Sequence, residues 1–366
     1  MKYLSHLVII LLAAAISMSC VAYRAHHPAS PEAPGLKDYY RDYFPIGVAV
    51  SGYALHTDEA GLVTRQFNSI TPENAMKMSV IHPGEQQYNW RDADSIAAFA
   101  RRNGMKLRGH TLVWHNQAPK WIFKDANGQQ VSKDVLLQRL KEHIMTVVKR
   151  YKGIVYAWDV ANEVISDRKD EFYRNSLWYQ ICGEEYIEKA FQWAHEADPD
   201  ALLFYNDYNE INTVKREKMI RMLNNLVSKG VPVHGVGLQA HWAVNEPSAE
   251  QLDKTMADFA KLGLKIQITE FDVSVYRKEH EMRSREAGDS AMEFTAVKEQ
   301  QQLEQFRRCF ESFRKYRDVL TGVTFWNISD RYSWLDNFPV RGRKDYPLLF
   351  DKELQPKKAF WAVVKF

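Results

Sequence analysis

Short apolar runs alternate with longer amphipathic stretches along most of the chain, and this alternation predicts strands separated by helices. Eight runs read as strands: 45–50, 67–71, 106–114, 156–163, 202–209, 235–241, 265–272 and 322–329. Strand alternating with helix predicts an α/β protein with a parallel sheet. Eight repeats, with the last helix at the C-terminus, predict a single closed (β/α)8 barrel of the TIM type rather than an open sheet.

The intervening stretches carry independent signs of helix. Segment 134–152 places apolar residues, from Val135 to Tyr151, on one stripe at helical spacing, with lysines and arginines opposite. Ser248 and Gln251 form a capping-box start, and Gly263 stands where the helix that follows should end. Glycine closes three other predicted helices in the same way: Gly104, Gly153 and Gly230.

Two predicted strands end at a glutamate. The apolar run 154–158 leads through Asn162 to Glu163, and the run 266–269 leads directly to Glu270. Barrel enzymes carry their reactive groups at the carboxyl ends of the strands. Two carboxyl groups on different strands are what glycoside hydrolysis requires, so this pair is the first candidate for catalysis.

Amides, imidazoles, indoles and further charged groups occupy most of the other predicted strand ends. They are Glu73, Asn74 and Lys77 after the second strand; His110, Trp114 and Gln117 along the third; Asn206 and Tyr208 on the fifth; Gln239 and His241 on the sixth; and Trp326 and Trp334 at and after the eighth. Such groups suit sugar hydroxyls and the apolar faces of pyranose rings. Taken singly, each is more often a packing residue, but packing alone does not explain so many decorated strand ends.

Composition narrows the class of partner. The 366 residues are 45% hydrophobic and 26% charged, which excludes a disordered chain and allows a large core. A net charge of +3 gives no electrostatic case for nucleic acid, and no Gly-rich phosphate loop or zinc-spaced Cys/His cluster is present. We expect an uncharged partner and neither cofactor nor metal.

The N-terminus reads as an export signal. Residues 1–19 combine a lysine with an apolar run too short to span a bilayer, and a small residue precedes Cys20 as in bacterial lipoprotein signals. We expect a lipidated Cys20 in the bacterial cell envelope; the alternative is ordinary cleavage near Ala22, giving a periplasmic or secreted protein. Residues 20–35, with three prolines, read as a tether to a domain spanning 36–366.

The two remaining cysteines, Cys182 and Cys309, are far apart in sequence. A disulfide between them is open, but we favour two small buried apolar residues. Segment 273–300 interrupts the strand and helix rhythm with a run of charge. A long loop there could line a substrate groove, although most such residues form a solvated face.

From about Leu36 to Phe366 the sequence resembles the glycoside hydrolase family 10 endo-1,4-β-xylanases. The motifs that carry the resemblance are Thr71-Pro72-Glu73-Asn74, Arg108-Gly109-His110-Thr111-Leu112-Val113-Trp114-His115, Trp158-Asp159-Val160-Ala161-Asn162-Glu163, Asn206-Asp207-Tyr208-Asn209, Gly235-Val236-Gly237-Leu238-Gln239-Ala240-His241, Ile268-Thr269-Glu270-Phe271-Asp272, Ser333-Trp334-Leu335 and Pro347-Leu348-Leu349-Phe350-Asp351.

The resemblance implies a retaining endo-1,4-β-xylanase with Glu163 as acid/base and Glu270 as nucleophile. Asn162 would hold the 2-hydroxyl of the sugar being cleaved, and His241, with Asp272, would support the nucleophile. We expect the negative charge of Glu270 to raise the pKa of Glu163. The other residues would bind sugar, mostly on the non-reducing side: Glu73, Asn74, Lys77, His110, Trp114, Gln117, Asn206, Tyr208, Gln239, Trp326 and Trp334.

Two departures from the family pattern concern sugar binding rather than chemistry. Met78 follows Lys77 where an aromatic residue is frequent, and Asn327-Ile328-Ser329 replaces the commoner small and Thr-containing run after Trp326. Two other functions stay open: a related β-1,4-glucanase or cellulase, and a lipid-anchored xylan-binding protein without catalysis. We expect a monomer.

Overall fold

Eight parallel strands close into a barrel in the computed structural model, which describes residues 33–279, 282–286, 288 and 293–366. The barrel strands are β1 (Ile46–Val50), β2 (Ser69–Pro72), β3 (Lys106–Gly109), β5 (Val155–Asn162), β6 (Leu202–Asp207), β7 (Gly235–Leu238), β9 (Lys265–Ser274) and β11 (Leu320–Phe325). Each pairs in parallel with the next, and β11 closes the ring by pairing with both β9 and β1. The predicted (β/α)8 barrel is confirmed.

Four shorter strands complete the described structure, of which two join the barrel sheet and two form a separate parallel pair. They are β4 (Val113–Trp114), β8 (His241–Ala243), β10 (Arg283–Ser284) and β12 (Val340–Arg341). Two predicted strands are therefore each divided, since β4 continues beyond β3 and β8 continues beyond β7. The predicted eighth strand was placed too late, because the ladder ends at Phe325 and Asn327 leaves it with a φ of 114°.

Helices lie between the strands, and their bounds are α1 (Leu36–Tyr39), α2 (Glu59–Gln66), α3 (Met78–Ile81), α4 (Arg91–Arg102), α5 (Lys133–Arg150), α6 (Leu177–Cys182), α7 (Glu185–Ala197), α8 (Thr213–Ser228), α9 (Ala249–Ala260), α10 (Ala296–Lys315) and α11 (Lys358–Val364). The predicted apolar stripe of α5 is buried, except that Val135 at its start is 39% exposed. The capping box at Ser248 is present. Gly104, Gly153, Gly230 and Gly263 all adopt positive φ.

Strand register brings polar residues of neighbouring strands to one level at the carboxyl end of the barrel. Asn162 on β5 pairs with Asn206 on β6, which pairs with Gly237 on β7. A Cβ atom at Gly237 would lie 2.3 Å from Oδ1 of Asn206. The absence of a side chain on β7 is therefore what allows Asn206 to occupy this level.

Residues Gly35–Phe366 form one compact unit. The predicted signal 1–19, Cys20 and nearly all of the tether 20–35 lie outside the described residues. No helix in the part of the chain that is described is long and apolar enough to cross a membrane. Cys182 and Cys309 are both buried and free, so the disulfide alternative does not hold.

Candidate active site

Glu163 and Glu270 face one cleft of about 1050 Å³ at the carboxyl end of the barrel. Glu270 belongs to β9, whereas Glu163 is the first residue after β5. Both side chains are buried, with residue exposures of 9% and 5%. The strand ends thus bring together two carboxyl groups that are 107 residues apart in the sequence, from position 163 to position 270.

A chain of amides joins the two carboxyl groups. Gln239 Nε2 donates to Oε1 of Glu163 at 3.0 Å, and Asn206 Nδ2 donates to Oε1 of Glu270 at 2.7 Å. Both amides also donate to Oδ1 of Asn162, at 3.3 and 2.9 Å. Because its oxygen is bound by these donors, Asn162 directs its NH2 group away from them, and Asn162 itself lines the cleft. The carboxylates are held in fixed relation, with an amide donor beside them.

Glu163 lies where its protonated form is favoured. Burial raises its pKa, and the charge of Asp207 adds to the effect, while hydrogen bonds from Gln239 and Trp114 oppose it. Trp114 Nε1 donates to Oε2 at 2.7 Å. The expected contribution of Glu270 is present but ranks below burial and below Asp207, so the raised pKa has causes that the sequence reasoning did not name.

The pKa of Glu270 is shifted in the opposite direction, downward. Burial alone would raise its pKa, but a hydrogen bond from His241 and the charges of His110 and His241 lower it overall. His241 Nε2 lies 3.2 Å from Oε2 of Glu270, and its Nδ1 lies 2.9 Å from Oδ2 of Asp272. These two carboxylates outweigh the burial of the ring and raise the pKa of His241 to about 9. A protonated imidazole therefore bridges two carboxylates and keeps Glu270 ionised.

The backbone at Glu163 is strained, with a φ of 57° in a residue that has a side chain. Its N–H donates to the carbonyl of Asn206 at 2.9 Å, and its own carbonyl accepts from Arg174 Nε at 2.9 Å. Such conformations persist where surrounding contacts over-determine them, and they concentrate at active sites. This turn away from β5 aims the carboxyl group into the cleft.

One half of the cleft is built by the ends of β2, β4 and β11. Lys77 donates to Asn74 at 3.0 Å and lies 4.9 Å from the ring centroid of Trp114. The predicted sugar-binding residues that line the cleft are Glu73, Asn74, Lys77, His110, Trp114, Tyr208, Gln239, Trp326 and Trp334.

Three predicted residues do not line the cleft. Asn206 and Asp272 are fully buried and act beneath it, where Asn206 binds Glu270 and Asp272 binds His241 and Trp334. Gln117 is exposed and lies apart from the cleft lining, with its backbone oxygen accepting from Ser79.

A network of charged side chains lies on the side of the cleft that carries Glu163, and the sequence analysis did not predict it. Lys215 Nζ lies 2.9 Å from both Asp207 and Asp167, and Tyr208 donates to Asp167 at 2.5 Å. Arg174 Nη2 reaches Asp167 at 3.1 Å. Asp207 stands inside a quoted motif and could have been singled out. Nothing local marks Arg174 or Lys215, which lie on the segment after β5 and on α8.

The loop after β9 contributes to the opposite wall, since Lys278 and Glu279 line the cleft. Part of the charged run 273–300 therefore lines the cleft, as predicted for a long loop beside a substrate groove. Among the residues described, no three His, Cys, Asp or Glu side chains are arranged to hold a metal ion. The chemistry available to the described site is that of two carboxyl groups supported by amides, imidazole and indoles.

A parallel barrel that places two buried carboxyl groups in one aromatic-lined cleft, with their pKa values shifted in opposite directions, is typical of glycoside hydrolases. Comparison with known proteins narrows this class. The profile of Glycosyl hydrolase family 10 matches residues 35–366. The chain belongs to glycosyl hydrolase family 10.

Individual relatives agree over nearly their whole length. A β-1,4-xylanase of Dictyoglomus thermophilum is 52% identical over 92% of this chain and 92% of its own. Endo-1,4-β-xylanase B of Paenibacillus barcinonensis is 46% identical over 92% of this chain and 99% of its own. The crystal structure of xylanase XynB from Paenibacillus barcinonensis, complexed with a conduramine derivative, has a TM-score of 0.87 at 46% identity, covering 92% and 99% of the two chains. A mutant structure in complex with xylotriose has a TM-score of 0.87 at 43% identity, covering 91% and 100%.

Proposed function

We propose that the protein is a retaining endo-1,4-β-xylanase that cleaves internal bonds of xylan by double displacement. One observation carries the proposal: two buried carboxyl groups in one cleft have pKa values shifted in opposite directions, Glu163 upward and Glu270 downward. A general acid must arrive protonated and a nucleophile must arrive ionised.

In the first step Glu270 attacks the anomeric carbon and Glu163 protonates the departing glycosidic oxygen. The bond between the anomeric carbon and that oxygen breaks as the bond to Glu270 forms, giving a covalent glycosyl-enzyme. His241 holds Glu270 ionised before attack, and the NH2 group of Asn162 would donate to a sugar hydroxyl beside the nucleophile; the support is that its oxygen is already bound by Asn206.

In the second step Glu163 acts as a base. Covalent attachment removes the charge of Glu270, which removes one of the influences that raise the pKa of Glu163. Glu163 takes a proton from water, the hydroxide portion bonds to the anomeric carbon, and Glu270 departs as a carboxylate. Two inversions restore the starting configuration.

Xylan is the substrate we favour because the relatives described above are xylanases and one neighbouring structure holds xylotriose. Trp326 and Trp334 both line the cleft, and Trp334 contacts the Asp272 carboxylate that supports His241. Indoles near the cleavage site would exclude the hydroxymethyl group that distinguishes glucose from xylose. Assay on xylan and carboxymethyl-cellulose side by side tests this, and equal rates would favour the glucanase alternative.

The Glu270→Ala variant tests the nucleophile. We expect a loss of nearly all hydrolysis, because no group remains to form the glycosyl-enzyme, and partial rescue by azide with inverted product. In the matched Glu163→Ala variant, azide should give product of retained configuration from a substrate with an activated leaving group. Reducing-sugar release and proton NMR of the first anomer measure both effects.

Two outcomes would contradict this assignment. Full activity in Glu270→Ala would exclude it as nucleophile, and an α-anomer formed first by the unaltered protein would exclude double displacement. Absence of reducing-sugar release from xylan, combined with xylan binding, would favour the non-catalytic alternative.

We also propose that the protein is exported and lipid-anchored in the bacterial cell envelope through Cys20. The support is the sequence alone: a short apolar run, a small residue before the cysteine, and a proline-containing tether of a length suited to separating a barrel from a bilayer.

A further inference from the structure

We propose that Asn327 is a substrate-positioning residue that fixes the carboxylate of Glu73 and thereby sets the affinity for the sugar one subsite beyond the bond-cleavage site on the non-reducing side. This inference rests on the proposed function and concerns a residue where the chain departs from the family pattern. Its support comes from three features: a contact, a place in the cleft and a strained backbone.

The contact joins two strand ends. Asn327 follows β11 by two residues, and its Nδ2 donates to Oε2 of Glu73 at 3.2 Å. Glu73 follows β2, so the hydrogen bond links residues 254 positions apart. The two side chains are buried, with exposures of 5% and 6%. Glu73 lines the cleft, whereas Asn327 stands behind it.

Glu73 has hydrogen-bond partners of its own, apart from those of the catalytic pair. Its Oε2 accepts from Asn327, and its Oε1 accepts from Tyr332 at 3.5 Å. Glu163 and Glu270 are bound by other side chains, described above. Glu73 thus lines the cleft without belonging to the group around the bond to be cleaved, and a sugar beyond that bond is the ligand it can bind.

The strained backbone of Asn327 is the third feature. Its φ of 114° lies outside the regions that residues with side chains normally adopt. A smaller residue without a Cβ atom would adopt it freely. Asn327 also faces apolar neighbours, including Leu349 and Phe350, and its Oδ1 has no partner among the described residues. The strained backbone and the unpaired Oδ1 both disfavour asparagine at this position. Its NH2 group, in contrast, forms the hydrogen bond to Glu73.

The chemical consequence concerns the state of Glu73. Burial raises the pKa of Glu73, while the charge of Lys77 and the hydrogen bonds of Asn327 and Tyr332 lower it. With Oε2 bound by Asn327, Oε1 receives only the long 3.5 Å hydrogen bond from Tyr332 and keeps a lone pair for a sugar hydroxyl. Without the Asn327 amide, the orientation of the carboxylate would be less restricted and its pKa would rise further.

The test compares an aryl β-xyloside, which carries one sugar, with the corresponding aryl β-xylobioside, which also reaches the second subsite. For Asn327→Gly we expect the KM of the xylobioside to rise about tenfold, as for loss of one hydrogen bond to a charged group. The kinetic constants of the one-sugar substrate should change far less, because only the longer substrate reaches Glu73, and the thermal midpoint is measured to show that the variant is folded. A loss confined to the longer substrate is a result that a purely structural role would not produce.

A double-mutant cycle with Glu73→Gln provides the control. If Asn327 acts through Glu73, then Asn327→Gly should change KM little when Glu73 is already altered. Equal effects on both substrates, an unchanged xylobioside KM, or full additivity with Glu73→Gln would overturn the inference while leaving the proposed function intact. Failure of the unaltered protein to cleave either glycoside would overturn the proposed function and this inference with it.

Discussion

At the scale of single residues, Glu163 and Glu270 show how two side chains of one type come to have pKa values shifted in opposite directions. Both are buried, and burial alone would raise the pKa of each. The difference lies in their neighbours: His241 supplies Glu270 with a hydrogen bond and positive charge, whereas Glu163 receives neutral donors and lies near the charge of Asp207. Environment, not residue identity, separates the proposed acid from the proposed nucleophile.

The Asp207→Asn variant should move the alkaline limb of the pH profile to lower pH. The negative charge of Asp207 raises the pKa of Glu163, so its removal lowers that pKa, and the acid form of Glu163 is lost at a lower pH. Measurement of kcat/KM against pH on xylan detects the shift.

Tyr205→Phe is the matched control, because Tyr205 donates a hydrogen bond to Asp207 and its removal leaves the charge in place. The alkaline limb of this variant should stay close to that of the unaltered protein. An unmoved limb in Asp207→Asn would show that its charge does not reach Glu163.

At the scale of elements, the helices packed on the outside of the barrel support the segments that line the cleft. His82, which directly follows α3, and His143 in the middle of α5 form a buried pair with Nδ1 atoms 3.1 Å apart. The ring of Tyr88 stacks on His82 at 3.9 Å, and the carboxylates of Glu85 and Glu142 also act on His82. This pair packs α5 against the segment that carries Lys77.

Stability should fall in mild acid because of this pair. Burial lowers the pKa of His143 to about 3 and also lowers that of His82. Below about pH 6.5 the unfolded chain binds protons at these histidines that the folded protein does not, so stability falls as pH falls. For His143 this loss continues toward pH 3, at about 1.4 kcal/mol per pH unit. In His143→Gln, urea unfolding should show lower stability at pH 7 but a shallower loss between pH 6 and pH 4.

His56→Gln, at an exposed histidine, serves as the control and should keep the steep loss. An equally steep loss in His143→Gln would mean that other groups set the acid sensitivity.

At the scale of the whole molecule, closure of the barrel turns eight separate strand ends into one rim. The pairing of β1 with both β11 and β2 brings Asn327 near Glu73, and the pairing of β6 with β5 and β7 brings Asn206 beneath Glu163 and Glu270. Neither meeting involves neighbours in sequence. The cleft is therefore a property of the closed fold rather than of any one motif.

The proposed export and lipid anchorage concern the full chain, because the predicted signal precedes the barrel. In Cys20→Ala expressed in a bacterium, we expect loss of labelled palmitate incorporation and a shift from the membrane to the soluble fraction, because the proposed acylation site is removed. Cys182→Ala, at a buried cysteine of the barrel, should keep both label and location. An unlabelled natural protein whose mature N-terminus lies near Ala22 would favour ordinary cleavage.

Much of this fold was predictable because the strands and helices of a barrel give periodic patterns of apolar and polar residues along the sequence. The order of eight strands, the capping box at Ser248 and the glycine ends of helices depend on neighbours in the chain, so local reasoning found them. The end of β11 was misplaced because apolar Trp326 and Ile328 continue the strand pattern past the last ladder pair. The ladder stops there for a reason that local hydrophobicity does not contain: the chain turns to line the cleft.

The candidate site, too, has a part that could be predicted from the sequence and a part that could not. The sequence by itself determined the fold class and the two glutamates, since each stands at the end of a recognisable strand. Only the tertiary structure decided that burial and Asp207 raise the pKa of Glu163 more than the expected charge of Glu270 does, and which residues stand behind the cleft rather than in it. Burial, the charge of Asp207, the Arg174 contact and the bond between Asn327 and Glu73 all arise from residues brought together by barrel closure, and no pattern of neighbours along the chain records them.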